Sequence, residues 1–99
     1  MSTVFDRLSE DKRKLLGELR AQIMQLDREV IEQVRPHRIV YSKNFLMMDF
    51  AEITLKGGGI QVTPILRGVE NPESVLVNDS ESIQRAVEAV REALKRLAG

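Results

Sequence analysis

Apolar residues recur at steps of three and four in two parts of the chain, near its beginning and near its end. This spacing lines one face of a helix. In the first part it runs through Leu15, Leu19, Ile23, Leu26, Val30 and Val34, and in the second through Ile83, Val87, Val90, Leu94 and Leu97. The pattern therefore predicts amphipathic helical segments over Ser9–Val34 and Ser80–Leu97.

Several residues indicate where these helices begin and end. Ser9 is a suitable N-cap for the first helix. Pro36 ends the helical pattern, because the residue before a proline is disfavoured in the helical conformation. Asp27 can either lie within the first helix or break it and cap a second short helix, and the sequence leaves both possibilities open. The C-terminal helix can be capped by Asp79 or by Ser80.

Between the helical segments the pattern changes to one typical of β-strands. Ile39–Tyr41, Met48–Leu55 and Ile60–Leu66 are rich in β-branched and aromatic residues, and Val75–Val77 can add a short fourth strand. The glycines at Gly57–Gly59 fit a hairpin connection between the second and third strands. We therefore expect an antiparallel sheet of three or four strands.

Alternation along the second strand separates an apolar face from a mixed one. Side chains of successive strand residues point to opposite sides of a sheet. The apolar face carries Ala51, Ile53 and Leu55, and the mixed face carries Phe50, Glu52 and Thr54. Helices should cover only the apolar face. We predict one α+β domain over residues 1–99, with an N-terminal helical segment, the sheet, a C-terminal helix, and both helices on one face.

The composition is that of a globular protein. Of the 99 residues, 42% are hydrophobic and 30% are charged, which argues against disorder. The 15 basic residues balance the 15 acidic ones, so no net charge attracts the chain to nucleic acid or anionic lipid. The sequence has no cysteine, no apolar run of about 20 residues and no signal peptide at its start. We expect a cytoplasmic protein without membrane contact.

The sequence contains no recognisable catalytic, metal or cofactor motif. His37 is the only histidine, and no carboxylate or nucleophile stands at a spacing that suits catalysis. Partners for a metal ion are also lacking near it. The glycine triplet leads into a strand, whereas a phosphate-binding loop leads into a helix. We therefore expect a protein that is not an enzyme and that binds no metal or cofactor.

The mixed face of the sheet is the candidate binding surface. We assign to it Arg38, Tyr41, Lys43, Phe50 and Glu52. Tyr41 lies among basic residues and can stack on a nucleic-acid base. Glu52 can pair with Arg38 or Lys43 on the neighbouring strand. For Glu52 we favour this structural pairing over ligand binding. For the basic residues, the balanced charge favours a solvated face over nucleic-acid binding.

A short apolar run precedes the second strand and consists of Phe45, Leu46, Met47 and Met48. Part of this run must leave the core, because consecutive residues of a strand point to opposite sides. Exposed apolar surface of this kind often marks a site of association. The run is therefore a candidate association patch.

Four short motifs lie in the middle of the chain: Leu26-Asp27 followed by Val30, then Arg38–Tyr41, Phe50–Ile53 and Gly59–Val62. With the acidic start of the last helix, they resemble a small bacterial domain family of unknown function. Some members of that family are labelled "predicted transport protein". The resemblance implies an α+β domain, found alone or appended to larger proteins, some of them related to restriction and DNA processing. It implies no established activity.

Three functions are compatible with these features. The first is a non-catalytic interaction module that self-associates, as a dimer, through the half-covered sheet or the Phe45–Met48 run, with a further protein partner possible. The second is an accessory nucleic-acid-binding module linked to DNA processing, using Arg38, Tyr41 and Lys43. The third is a small-ligand-binding domain or enzyme that uses Tyr41 and Glu52 on the open sheet face. We rank them in this order.

Overall fold

The computed structural model describes residues 3–43, 48–66, 68–70 and 72–98. A single 3-10 turn, Val4–Arg7, precedes the first long helix. The helices and strands are, in chain order, α1 (Glu10–Met24), β1 (Val30–Val34), β2 (Ile39–Lys43), β3 (Met48–Lys56), β4 (Gly59–Pro64), β5 (Val75–Val77) and α2 (Ser80–Ala98).

The five strands form one antiparallel sheet in the order β1-β2-β3-β4-β5, so each strand pairs with its neighbour in sequence. α2 packs against β3, β4 and β5, and α1 packs beside α2 and against β1 and β4. This confirms the predicted α+β class with both helices on one face. The sheet has five strands instead of three or four, because a segment predicted to be helical forms β1.

The core lies between the helices and the covered face of the sheet. Burial of a large aliphatic side chain stabilises a fold by about 1.5–3 kcal/mol, so this layer dominates the stability. The helices contribute Leu16, Leu19, Ile23, Ile83, Val87, Val90 and Leu94, and the sheet contributes Ile39, Ala51, Ile53, Ile60, Val62 and Val77.

α1 ends at Met24, and the prediction of a helix continuing to Val34 is wrong. The Asp27 side chain accepts a hydrogen bond from the backbone N–H of Glu29 at 2.8 Å. Such a local bond competes with helix formation and starts a turn. Val30 and Val34 are four residues apart, which places them on one side of a strand as well as on one face of a helix. Their spacing was therefore ambiguous.

Asp79 caps α2. Its side-chain Oδ1 accepts a hydrogen bond from the backbone N–H of Ser82 at 2.8 Å, and its carbonyl accepts one from Ile83 at 3.1 Å. This is the geometry of an N-cap residue. Of the two residues that the sequence offered for this role, the structure selects Asp79, and Ser80 is the first residue of the helix.

A β-bulge in β3 changes which residues share a face. Tyr41 pairs with Ala51, and Ser42 pairs with Asp49, so Phe50 is the extra residue between them. A bulge sets two residues of one strand against one of its neighbour and interrupts the alternation. Phe50 is therefore fully buried and belongs to the same core cluster as Ala51. The prediction that Phe50 shares the mixed face with Glu52 is wrong.

Neither α1 nor α2, the two helices within the described residues, is long and apolar enough to cross a membrane.

Gly17 and Gly58 should respond to alanine in opposite ways. A Cβ atom added at Gly17, in the middle of α1, meets no atom within 4 Å. Gly17→Ala should therefore raise the free energy of unfolding by about 1 kcal/mol, because alanine favours the helix. Gly58 has a φ of +81° in the β3–β4 turn, so Gly58→Ala should lower it by about 1–2 kcal/mol. Urea denaturation followed by circular dichroism measures both, and shifts of the same sign would contradict these backbone conformations.

Candidate functional site

The five residues assigned to the binding face do not lie on one surface. Tyr41 and Phe50 are fully buried, and both belong to the core beneath the helices. The expectation that they are exposed to a ligand is therefore wrong. Tyr41 follows Ile39 by two residues on β2, so the strand turns both side chains toward the helices.

The hydroxyl group of Tyr41 reaches a carboxylate inside the protein. It donates a hydrogen bond of 2.6 Å to Oε2 of Glu32 on β1. The guanidinium of Arg20 on α1 donates from Nε to Oε2 at 3.0 Å and from Nη2 to Oε1 at 2.6 Å. A bidentate pair of this kind is among the stronger charge-assisted contacts in proteins. The Arg20–Glu32–Tyr41 cluster thus joins α1, β1 and β2.

The pKa values follow from this geometry. Burial desolvates the Glu32 carboxylate and would raise its pKa, but the hydrogen bonds from Arg20 and Tyr41 outweigh that effect and hold the pKa below its usual range. Burial, reinforced by the bond to Glu32, raises the pKa of the Tyr41 phenol. The bond to Glu32 also raises the pKa of Arg20. The cluster therefore holds fixed charges at neutral pH and links three elements of the fold.

Sequence reasoning missed this cluster because it placed Glu32 on a helix. Once Val30–Val34 is a strand, Glu32 lies between two apolar residues that face the helices and must face them as well. A carboxylate in that position needs a partner, because an unpaired buried charge is unfavourable. Arg20 on α1 and the phenol of Tyr41 supply it.

Arg38 and Glu52 are the two predicted residues that do share the helix-free side of the sheet. Arg38 Nη1 lies 3.4 Å from Glu52 Oε2, which confirms one of the two pairings expected for Glu52. Lys43 instead pairs with Asp27, with Nζ 3.5 Å from Oδ2. Tyr41 and Glu52 project to opposite sides of the sheet, so they cannot line one pocket. With Tyr41 buried, the predicted nucleic-acid surface also loses its stacking group.

The apolar run before β3 is described only at its end. Phe45, Leu46 and Met47 lie outside the described residues, and Met48 begins β3 with a partly buried side chain. Association through this run stays a prediction.

The helix-free face is the side of the sheet against which neither α1 nor α2 packs. The strand pairings assign to it Ile31, Gln33, Val40, Ser42, Asp49, Glu52, Thr54, Lys56, Gln61, Thr63 and Leu76. Ile31 on β1 is 38% exposed and Leu76 on β5 is 57% exposed, whereas Val40 between them is 2% exposed. The face therefore combines apolar residues at both edges with polar residues in between, of which Asp49, Glu52 and Lys56 are charged.

A groove runs between α1 and the edge strand β1. Its first part has a volume of about 430 Å³ and is lined in part by Phe5, Arg13 and Val34. Its second part, about 290 Å³, is lined in part by Met24. Gly17 and Arg20 line both parts. We call this feature the α1–β1 groove.

Metal ligands are not clustered in the described part of the chain: no three or more His, Asp or Glu side chains there are close enough to hold a metal ion.

Tyr41 should not ionise until the protein unfolds. Its pKa is raised in the folded state above the value of about 10 in an unfolded chain. The resulting contribution to stability is present below that pH and is lost as the pH rises above it. The chain has one tyrosine and no tryptophan, so phenolate absorbance reports this residue alone. Its titration should coincide with loss of helical circular dichroism.

Glu32→Gln is the matched variant for this titration. It removes the negative charge that raises the pKa of Tyr41 and leaves the burial in place. The phenol of the variant should therefore ionise at a lower pH than that of the parent protein. A parent phenol that titrates near its usual pKa while the helices remain intact would contradict the buried cluster.

Comparison of the chain with protein-family models, with curated proteins and with solved structures found no match. The resemblance to the small bacterial domain family therefore stays an expectation drawn from the sequence motifs.

Proposed function

We propose that this chain is a non-catalytic interaction module of the cytoplasm that self-associates as a homodimer through the helix-free face of its sheet. The observation that carries the proposal is the one-sided cover of a five-stranded sheet, with Ile31 and Leu76 exposed on the uncovered side. Exposed apolar residues are typical of interaction surfaces, and here they lie at the two edges of one face. The cytoplasm as the setting carries over from the sequence analysis.

The chemistry of the helix-free face suits contact with a second copy. Its ion pair, Arg38 with Glu52, neutralises itself within one protomer, so two such faces can approach without like-charge repulsion at this point. Thr54 and Gln61 pair across β3 and β4 in the centre and offer neutral side chains. Two sheets can pack face to face at a separation of about 10 Å. A two-fold axis would bring the same patch of each copy together.

The size of the face predicts a weak dimer. Five strands about 4.8 Å apart give a width of about 24 Å, and five residues of strand give a length of about 17 Å. The flat projection is therefore about 400 Å². A standard stable interface buries about 800 Å² on each partner. We expect reversible association that rises with concentration instead of a permanent dimer.

Lysine at both apolar positions should abolish this association. The double variant Ile31→Lys and Leu76→Lys places two positive charges on the face and, by symmetry, four in the dimer. Sedimentation velocity over a concentration series should show a rising average mass for the parent protein and a constant monomer mass for the variant.

Val69→Lys is the matched control, because Val69 is 43% exposed but lies in the loop between β4 and β5. This control should associate like the parent protein. A parent protein that remains monomeric at the highest concentration, or a double variant that associates as strongly as the control, would refute the proposal.

A further inference from the structure

We infer that the α1–β1 groove binds an extended peptide segment of a partner protein, which adds as a sixth strand along β1 and places a carboxylate on Arg13 or Arg20. Three independent features of the groove lead to this inference. They are the outer edge of β1, along which no described strand pairs, the glycine in the lining of the groove, and the arginine donors that bond to no described residue.

The outer edge of β1 offers backbone groups to an added strand. In the sheet formed by the described residues, β1 has β2 as its one neighbour. The backbone N–H of Arg35 donates to the carbonyl of Arg38 at 2.8 Å, which directs Arg35 toward β2. Backbone direction alternates along a strand of an antiparallel pair. The N–H and C=O groups of Glu32 and Val34 therefore point outward, where a further strand would bond.

Gly17 lines the groove and is an unfavourable residue for the middle of a helix. Glycine in the middle of a helix is about 1 kcal/mol less favourable than alanine. Close packing inside the chain does not require it here, because an added Cβ meets no atom within 4 Å. The two parts of the groove meet at Gly17. Local rules are broken mainly at functional sites, and a glycine at this point allows a ligand to approach the backbone of α1.

The arginines that line the groove have side-chain donors that bond to no described residue. Both oxygens of Glu32 accept bonds from Arg20 or Tyr41, and the carboxylate of Asp6 accepts one from the backbone N–H of Thr3 at 2.9 Å. An arginine has five N–H donors. Arg20 uses only Nε and Nη2, and Arg13 bonds through one nitrogen, Nη2, to the carbonyl of Asp6. The unused donors are positively charged and match a carboxylate.

The dimensions fit a short strand. Arg13 and Arg20 are seven residues apart on α1, which corresponds to about 10 Å along a helix. An extended segment covers that distance in about three residues. Val34 and Met24, both partly exposed, flank the two parts of the groove and can contact apolar side chains of the same segment. The groove lies on the helix-covered side of the sheet, so this inference is independent of self-association through the helix-free face.

Four labelled heptapeptides test the inference by fluorescence anisotropy. The first is the capped peptide Thr-Glu-Val-Glu-Val-Glu-Thr, and in the second and third the three glutamates are replaced by glutamine or by lysine. The fourth is the glutamine peptide with a free C-terminal carboxylate, which distinguishes a chain terminus from acidic side chains. The glutamate peptide, the free-carboxylate peptide or both should bind at least about tenfold more tightly than the capped glutamine and lysine peptides.

Two variants identify the groove as the site. Gly17→Gln fills the groove while favouring the helix, so binding should fall at least about tenfold without loss of thermal stability. Val34→Pro removes an outward N–H that the fold does not use and should also weaken binding. Glu18→Gln is the control, because Glu18 is exposed on α1 and lies outside the groove lining. It should bind like the parent protein.

Nuclear magnetic resonance of the labelled protein adds a readout that identifies the residues in contact. The amide signals of Glu32 and Val34 should shift on addition of a binding peptide, and those of β5 should not. The Leu76→Lys variant, which is altered only on β5 at the opposite edge of the sheet, should bind peptide like the parent protein, so failure of self-association and failure of the groove are distinguishable. Absence of binding by all four peptides at about 1 mM, equal binding by all four, or unchanged binding by Gly17→Gln would overturn the inference.

Discussion

Two helices are enough to cover about one face of this sheet, and the accessible surfaces of the protein follow from that limit. Packed helices lie about 8–10 Å apart, so a pair covers a width of about 20 Å. Five strands span about 24 Å. One face therefore becomes the core, the opposite face receives no helix, and the α1–β1 groove lies where α1 meets the edge strand. The helix-free face and the α1–β1 groove are the two consequences, and the proposals on self-association and peptide binding rest on one each.

Beside β1, the Arg20–Glu32–Tyr41 cluster joins a helix to the sheet, as apolar packing does in the rest of the fold. Arg20, Glu32 and Tyr41 come from α1, β1 and β2 and satisfy one another. No buried side-chain polar atom in the described part of the chain lacks a partner. Removal of one member would leave a partly buried charge or the buried Tyr41 hydroxyl unpaired, which is unfavourable. The cluster therefore fixes the position of α1 relative to the edge strand and so shapes the groove.

The edge strand β1 has outward-pointing backbone groups that allow pairing with another chain and a charged side chain that limits it. An edge strand presents free backbone groups that can pair with another chain, and natural proteins often limit such pairing with an inward-pointing charge. Glu32 is a charge of this kind, held on the helix-covered side by Arg20. An added strand therefore meets charged donors beside β1, and a second copy of β1 does not match them because the carboxylate of its Glu32 is already held by its own Arg20. A segment that supplies a carboxylate to the unused arginine donors can bond to them and leave Glu32 paired with Arg20.

The sequence by itself determined the elements whose signals are local. The period of α2 and the glycine turn between β3 and β4 depend on neighbouring residues, and the sequence narrowed the cap of α2 to Asp79 or Ser80. The alternation of Ile53 with Thr54 was sufficient to predict a sheet covered on one side. Only the tertiary structure decided the rest. Val30 and Val34 suit helix and strand equally, and pairing with β2 selected the strand. The bulge at Phe50 and the partners of Tyr41 arise between segments distant in sequence. Contacts of that kind leave no periodic pattern in the chain, because their energy depends on which surfaces meet.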